Sequence, residues 1–194
     1  MPLGKFHSDI ALAVAVRLLN HAGGILNDIK LAKLQYLVER TCLLKRHAPL
    51  TGDDGVSLFH GPCLSRSLNL ATEYEKSLEW GEAVSFAKFG VSPVAKHENV
   101  VVLRIPSTQL GPILSPAESA IVDEVWAKYG SMSKREIRSW CHEHCPEHIH
   151  VRQGQRQFID WRNVFLAEGM SESEANEIVD QIRYLSEFEI RYGA

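Results

Sequence analysis

The spacing of hydrophobic residues predicts that this chain is mainly helical. Apolar residues recur at intervals of four from Ile10, and glycines at positions 23 and 24 follow that segment. A second such segment begins at Asp28, and a spacing of three or four residues places apolar side chains on one face of an α-helix. The buried stripe predicted for this second helix consists of Leu31, Leu34, Val38 and Cys42.

Three Ser-x-x-Glu sequences predict where later helices begin. They start at Ser115, Ser133 and Ser171. In such a capping box the serine oxygen accepts the amide proton three residues later, and the glutamate accepts the serine amide proton. A shorter helix is predicted after Asp160. Pro62 is a further start signal, because proline suits the first helical turn, and we expect a helix from there to about Lys76.

The middle of the chain has a different pattern. Residues 83–89 and 99–105 are rich in β-branched and aromatic side chains and are separated by Gly90 and Pro93. This composition favours two short strands. The predicted fold class is therefore α+β and mainly α-helical, with a small β-hairpin or short antiparallel sheet in the middle, in a single domain over residues 1–194.

The composition of the chain limits the classes of function that we expect for it. The chain has 194 residues, 45% of them hydrophobic and 23% charged, and a formal net charge of -3. Without a broad positive field, nucleic acid is not expected as a direct partner. The apolar run at residues 10–19 is too short for a membrane span and contains Arg17. No signal peptide is recognisable, so we expect a cytoplasmic protein with reduced cysteines.

Residues 141–150 combine two cysteines with four histidines and suggest a metal site. Cys141 and Cys145 could supply two zinc ligands from one helical face, with His148 and His150 folding back past Pro146. A second ligand cluster would have to come from Cys42 and Cys63. In the alternative interpretation, a cysteine fills the core and the histidines lie on a solvated helix end and loop. Separately, we expect Glu143 and Glu147 to face solvent, because their like charges would repel each other on a shared face. The familiar catalytic motifs are absent, so an enzyme is not expected.

One flank of the second helix carries Lys33, Tyr36 and Arg40. Their spacing places two cations around an aromatic ring, next to the buried stripe. We expect this flank to be exposed and able to bind a protein partner, because Arg and Tyr are enriched at interfaces. In the alternative, Tyr36 covers the edge of the core and the cations stay in water.

An ordered set of motifs resembles the Panacea domain family, which includes the SocA-like antitoxins and was first seen in phage-associated proteins. The set begins with residues 30–37, 49–53 and His60-Gly61-Pro62, followed by Ser65. The later features are Ser115 with Glu118, Tyr129-Gly130, and Trp140-Cys141-His142 before a proline. The resemblance covers roughly residues 28–185. It departs from the family after Pro146, where a tryptophan is usual.

The resemblance implies an antitoxin that neutralises a cognate protein toxin by direct contact, without catalysis or a cofactor. The SocA-like branch instead delivers its toxin to the ClpXP protease, so ClpXP is a second partner to consider. A hypothesis from another class is a metal-dependent enzyme or zinc-stabilised module built on residues 141–150. The residues predicted for partner binding, from the helix flank and the family motifs together, are Lys33, Tyr36, Arg40, His60 and Ser65. Those predicted for structure are Gly52, Asp53, Gly61, Pro62, Trp140 and His142.

Overall fold

The computed structural model describes residues 3–73, 75–105 and 113–192. The helices are α1 (Ser8–His21), α2 (Asp28–Arg46), α3 (Ser65–Ala71), α4 (Leu78–Ala83), α5 (Pro116–Tyr129), α6 (Lys134–His144), α7 (Arg162–Ala167) and α8 (Glu172–Tyr192). The strands are β1 (Ile25–Asn27), β2 (Gly55–Leu58), β3 (Gly61–Leu64), β4 (Val84–Ala87), β5 (Val100–Leu103) and β6 (Gln157–Phe158). A short 3-10 helix covers Pro93–Ala95.

Helix α2 lies at the centre of the molecule. It packs against α1, α3, α5, α6 and α7 and also contacts strands β1, β3 and β5. Every residue from 31 to 40 is consequently buried. The predicted apolar stripe of this helix is confirmed, since its four members are at most 1% exposed. Because neighbours surround α2, the polar residues between the stripe positions are buried as well.

Strands β1, β5 and β4 form one antiparallel sheet in that order. Val101 of β5 lies opposite Leu26 on one side and Phe86 on the other. The predicted pairing of the two middle segments is confirmed, and β1 adds a strand that the sequence pattern did not indicate. The chain is α+β and mainly helical, as predicted.

The second sheet, ordered β3-β2-β6, corrects the predicted start of the third helix. Pro62 lies in strand β3 opposite Ser57, and α3 begins only at Ser65 and ends at Ala71. Proline is tolerated there because β3 is an edge strand, where one side of the backbone needs no ladder partner. Gly61, with φ of 95°, makes the sharp turn that allows β3 to fold back on β2.

The capping boxes are confirmed where the sequence placed them. Ser115 and Ser133 each accept an amide proton from the glutamate three residues later, which in turn accepts from the serine amide. Ser171 and Glu174 make the same exchange at the start of α8. Helix α2 begins at Asp28, as predicted, and the side chain that caps it is that of the preceding residue, Asn27.

One cluster of buried hydrophobic side chains extends from Leu3 to Ile182 and draws residues from α1, α2, α5, α6, α7 and α8. Across the three described ranges, every helix falls short of the length and apolarity that crossing a membrane would require. The assignment of residues 1–194 to a single domain stays a prediction.

Candidate functional site

The expected exposure of Lys33, Tyr36 and Arg40 is wrong. Their relative exposures are 2%, 0% and 9%. Strand β3 and helix α6 pack against α2 and contribute to the cover over its polar flank. The alternative that left the cations in water is wrong for the same reason. The three side chains form a buried polar layer, which we call the floor, and Lys33 also lines a recess described below.

Glu147 is the centre of a buried polar network on this flank. Its Oε1 atom accepts hydrogen bonds from the Tyr36 hydroxyl at 2.5 Å and from Arg40 Nε at 2.8 Å. Arg40 Nη2 also donates to Glu168 at 3.1 Å. Because the Glu147 side chain is 0% exposed, the expectation that it faces solvent is wrong. A charge can be buried here because an opposite charge and a hydroxyl group compensate it.

Burial changes the pKa values of the side chains on this flank. It lowers the pKa of Lys33, whose ammonium group donates to the carbonyl oxygen of Pro62. Burial, and then the Glu147 carboxylate, raise the pKa of Tyr36, which therefore keeps its proton. Burial lowers the pKa of Arg40, but the charge of Glu147 and its hydrogen bond, with the contributions of Cys145 and Tyr36, together raise this pKa above its ordinary value. The pair of Arg40 and Glu147 is thus a buried ion pair.

Gly61 allows the turn between β2 and β3 to approach this floor closely. A Cβ atom added there would lie 3.3 Å from His142 Nε2 and 3.4 Å from Lys33 Nζ. Together with its positive φ, this proximity explains why a side chain fits poorly at this position. Pro62 holds the Lys33 ammonium group through its carbonyl oxygen.

The other predicted structural residues also make specific contacts. A Cβ atom on Gly52, whose φ is 67°, would lie 2.2 Å from the carbonyl oxygen of Lys5. Asp53 is buried and accepts hydrogen bonds from the amides of Arg66 and Ser67, at 3.0 and 2.7 Å, so it caps α3. The Trp140 ring packs 4.7 Å from that of Tyr129.

His142, His148 and His150 come together at the end of α6. One ring nitrogen from each lies within 4.8 Å of the other two. The ring of His142 is stacked on that of His150, with centroids 5.1 Å apart, and lies edge-on to that of His148 at 4.9 Å. Burial and the two neighbouring imidazoles lower the pKa of His148 to about 4. The sequence placed His142 among structural residues and did not group it with the other two.

The cysteines predicted as metal ligands lie elsewhere. Cys141 and Cys145 are buried in the main core, at 0% and 1% exposure. Cys42 and Cys63 are free buried thiols. In the described ranges, none of these four residues belongs to a group able to hold a metal ion.

Above the floor lies an exposed surface, which we call the Phe59 face and which consists of Phe59, His60, Arg138, Arg152, Arg156 and Phe158. The ring of Phe59 is 45% exposed and lies 5.7 Å from the guanidinium carbon of Arg138. Phe158 is 49% exposed and has the same distance to Arg156. Strand β6 places Phe158 beside β2, directly opposite Val56.

Two recesses meet at Phe59. The first, of about 640 Å³, is lined by Arg138, His142, Glu143 and His150 among others. The second, of about 520 Å³, is lined by Lys33, His60, Gly61 and Arg156 among others. The structure thus brings His60 close to Lys33, as the sequence hypothesis grouped them. Ser65, at the start of α3, lies outside both linings.

Sequence reasoning missed most of the Phe59 face and the role of Glu147. Phe59 adjoins His60, so its position in the motif could have drawn notice. The arginines come from α6 and from the segment around β6, far from β2 in the sequence, and no local pattern links them to an aromatic ring.

Comparison with protein families gives one match that covers more than half of the chain. A family model described as antitoxin SocA-like, Panacea domain, matches residues 31–147. That range runs from the first buried leucine of α2 to Glu147, and so contains the whole floor of the site. Comparisons with curated proteins and with solved structures give no match.

Proposed function

The chain belongs to the SocA-like Panacea domain family of antitoxins, and from this membership we propose that it neutralises a cognate protein toxin by binding it directly. The family match is the observation that carries the proposal. The chain acts as a binding protein in the cytoplasm, encoded next to its toxin in a two-gene system. In this proposal the chain binds its partner and does not catalyse a reaction.

We assign toxin binding to the Phe59 face in place of the buried flank of α2. Exposed aromatic rings combined with arginine are typical of the residues that dominate protein interfaces. Phe59 and His60 lie within the matched range, and both line the second recess together with Lys33. Of the residues predicted for partner binding, His60 is therefore retained, Lys33 contributes to the wall of the recess, and Tyr36 and Arg40 lie buried in the interior.

The charge of this face indicates an acidic partner surface. Among the described residues that line the first recess, Arg135, Arg138 and Arg152 outnumber the single carboxylate, Glu143. The chain as a whole carries a formal charge of -3, so this face is positively charged on a protein whose net charge is negative. Local positive potential of this kind accelerates association with a negatively charged partner and is screened by salt.

The first experiment co-expresses this chain with the open reading frame next to its gene. We expect that reading frame alone to stop growth, and co-expression to restore growth with the two proteins purifying as a complex. Absence of toxicity, or growth rescue without any contact between the proteins, would contradict neutralisation by binding. Rescue accompanied by ClpXP-dependent loss of the toxin would instead identify proteolytic delivery as the mechanism.

The second experiment locates the interface by charge reversal. The double variant Arg138→Glu and Arg156→Glu should weaken toxin binding by about tenfold or more, because it removes both arginine-aromatic pairs. The matched control is Arg191→Glu, an exposed arginine of α8 that lines neither recess. Loss of binding in the control with full binding in the double variant would move the interface to α8. Reversal at Lys33 or Arg40 is not informative, since it would bury an unpaired charge.

A further inference from the structure

The three imidazoles at the end of α6 form a group that the antitoxin proposal does not use. His142 is in the last turn of the helix, and His148 and His150 follow the break at Pro146. The backbone returns toward the helix because the amide of His148 donates to the carbonyl oxygen of Cys145 at 2.9 Å. Ile149 is also anchored, since its amide donates to Ser57 Oγ of β2 at 3.0 Å.

These rings are held together without satisfying their own hydrogen-bonding groups. Within the described part of the chain, both ring nitrogens of His142 and both of His148 are inaccessible to solvent and lack a hydrogen-bond partner. Leaving a buried polar group unpaired is destabilising, because the group has lost its hydrogen bonds to water without gaining others. Four such nitrogens in two adjacent rings therefore suggest an additional binding partner at this position.

A metal ion is the partner that this geometry fits. The three nitrogens lie within 4.8 Å of one another. In a tetrahedral zinc site, with Zn–N distances of about 2.0–2.1 Å, ligand nitrogens are about 3.3 Å apart. Small rotations of the rings would close this difference. Neutral imidazole is the ligand type preferred by zinc and its neighbours among the divalent transition metals.

We propose that His142, His148 and His150 bind one zinc ion, with the fourth coordination position open to the first recess. His142 and His150 both line that recess, so a water molecule or a side chain of a binding partner can reach the ion from there. A zinc ion with three protein ligands keeps one coordination position open, whereas purely structural sites have four protein ligands.

The ligand set differs from the one that the sequence suggested. Cys141 and Cys145 lie in the main core. His144, although in the same cluster of sequence, is stacked on Trp140 with ring centroids 4.7 Å apart, and its Nδ1 lies 3.0 Å from the Trp140 carbonyl oxygen. Both facts provide matched controls for the site.

The experiment titrates zinc chloride into the full chain, purified without a histidine tag and treated with chelator. Calorimetry should show one zinc ion bound per chain, and zinc should raise the melting temperature, because it binds the folded state. The key variant is His150→Ala, since His150 is exposed and its replacement should leave the fold intact. It should lower zinc affinity by about tenfold or more and remove most of the thermal shift.

The control variants separate this site from its alternatives. His144→Ala and Cys145→Ala should bind zinc as the parent chain does. Failure of the parent chain to bind one equivalent would overturn the proposal. Equal affinity of His150→Ala and the parent chain would overturn it too, and greater loss in Cys145→Ala would identify the cysteines as ligands instead. Each result leaves the antitoxin proposal unaffected, because toxin neutralisation is measured separately.

Discussion

Arg40 contacts two carboxylates that differ greatly in exposure. The Glu147 side chain is fully buried, while that of Glu168 is 50% exposed. The two N···O distances are similar, at 2.8 and 3.1 Å. The environment of each carboxylate, and not the contact distance, therefore determines how much each contributes to stability.

We predict that Glu147→Ala lowers the free energy of unfolding by about 3–5 kcal/mol, because it leaves Arg40 buried without its ion-pair partner. It also removes the acceptor for the Tyr36 hydroxyl group. Glu168→Ala should cost at most about 1 kcal/mol, as is usual for a solvent-exposed pair. Urea denaturation of both variants measures the difference. Equal effects of the two substitutions would show that burial does not strengthen the inner pair.

At the scale of elements, Asp53 links a turn to the helix that follows a complete hairpin. Its carboxylate accepts from the amides of Arg66 and Ser67 and from the Ser67 hydroxyl group. Asp53 thus accepts the amide protons that an N-cap residue normally accepts, although it lies more than ten residues upstream of the helix in the sequence. Leu64, the residue next to the helix, makes no capping bond through its side chain.

We predict that Asp53→Ala lowers stability by about 1–2 kcal/mol, as loss of a helix cap does. Amide hydrogen exchange should accelerate at Arg66 and Ser67. Asp54→Ala is the control, because the Asp54 side chain makes no hydrogen bond within the described ranges, and its effect should stay within about 0.5 kcal/mol. If Asp54→Ala had the larger effect, the capping assignment would be wrong.

Elements specified by neighbouring residues could be predicted from the sequence. The capping boxes at Ser115 and Ser133 are such cases, because both partners lie within one helical turn. Strand β3 could not be predicted in this way. Pro62 fits a helix start and an edge strand equally well, and only pairing with Ser57 decides between them. The same limit explains why β1 and β6 were missed.

The candidate site was harder to predict than the fold. The α2 flank was expected at the surface because its spacing shows which residues share a face but not what covers that face. Its cover includes Glu147, more than a hundred positions away from Tyr36 and Arg40. The grouping of His142 with His148 and His150 depends on the chain reversal after Cys145, which leaves no repeating pattern in the sequence.

At the scale of the whole molecule, the protonation of Glu39 makes the free energy of unfolding depend on pH. It is buried on α2 and accepts hydrogen bonds from the amides of Leu50 and Thr51 and from the Thr51 hydroxyl group. Burial nevertheless raises the pKa of Glu39 to about 7, above its ordinary value of 4.5. The folded chain therefore binds more protons than the unfolded chain between these values. The stabilisation that comes from protonated Glu39 in the folded chain is fully present below pH 4.5, and it is lost as pH rises through about 7.

We predict that replacing Glu39 with glutamine removes this part of the pH dependence. Between pH 4.5 and 8 the parent chain should lose about 3 kcal/mol relative to Glu39→Gln, as a shift of this size implies. The free energy of unfolding of the variant should be lowered by an amount that does not change with pH. The reason is that the side-chain NH2 group of glutamine would face a backbone N–H donor. Urea denaturation across this pH range measures both effects. Parallel stability curves for the two proteins would contradict the prediction.

The burial of Tyr36, Arg40 and Glu147, in contrast to the exposed Phe59 face, has an evolutionary consequence. A substitution of one of these three residues needs a second, compensating change, because each of their side chains is hydrogen-bonded to another. Within the described ranges, residues of the Phe59 face have no such partners in the interior and can change singly. Under the toxin-binding proposal, a lineage of such proteins can change its partner by altering the Phe59 face while it inherits the same interior.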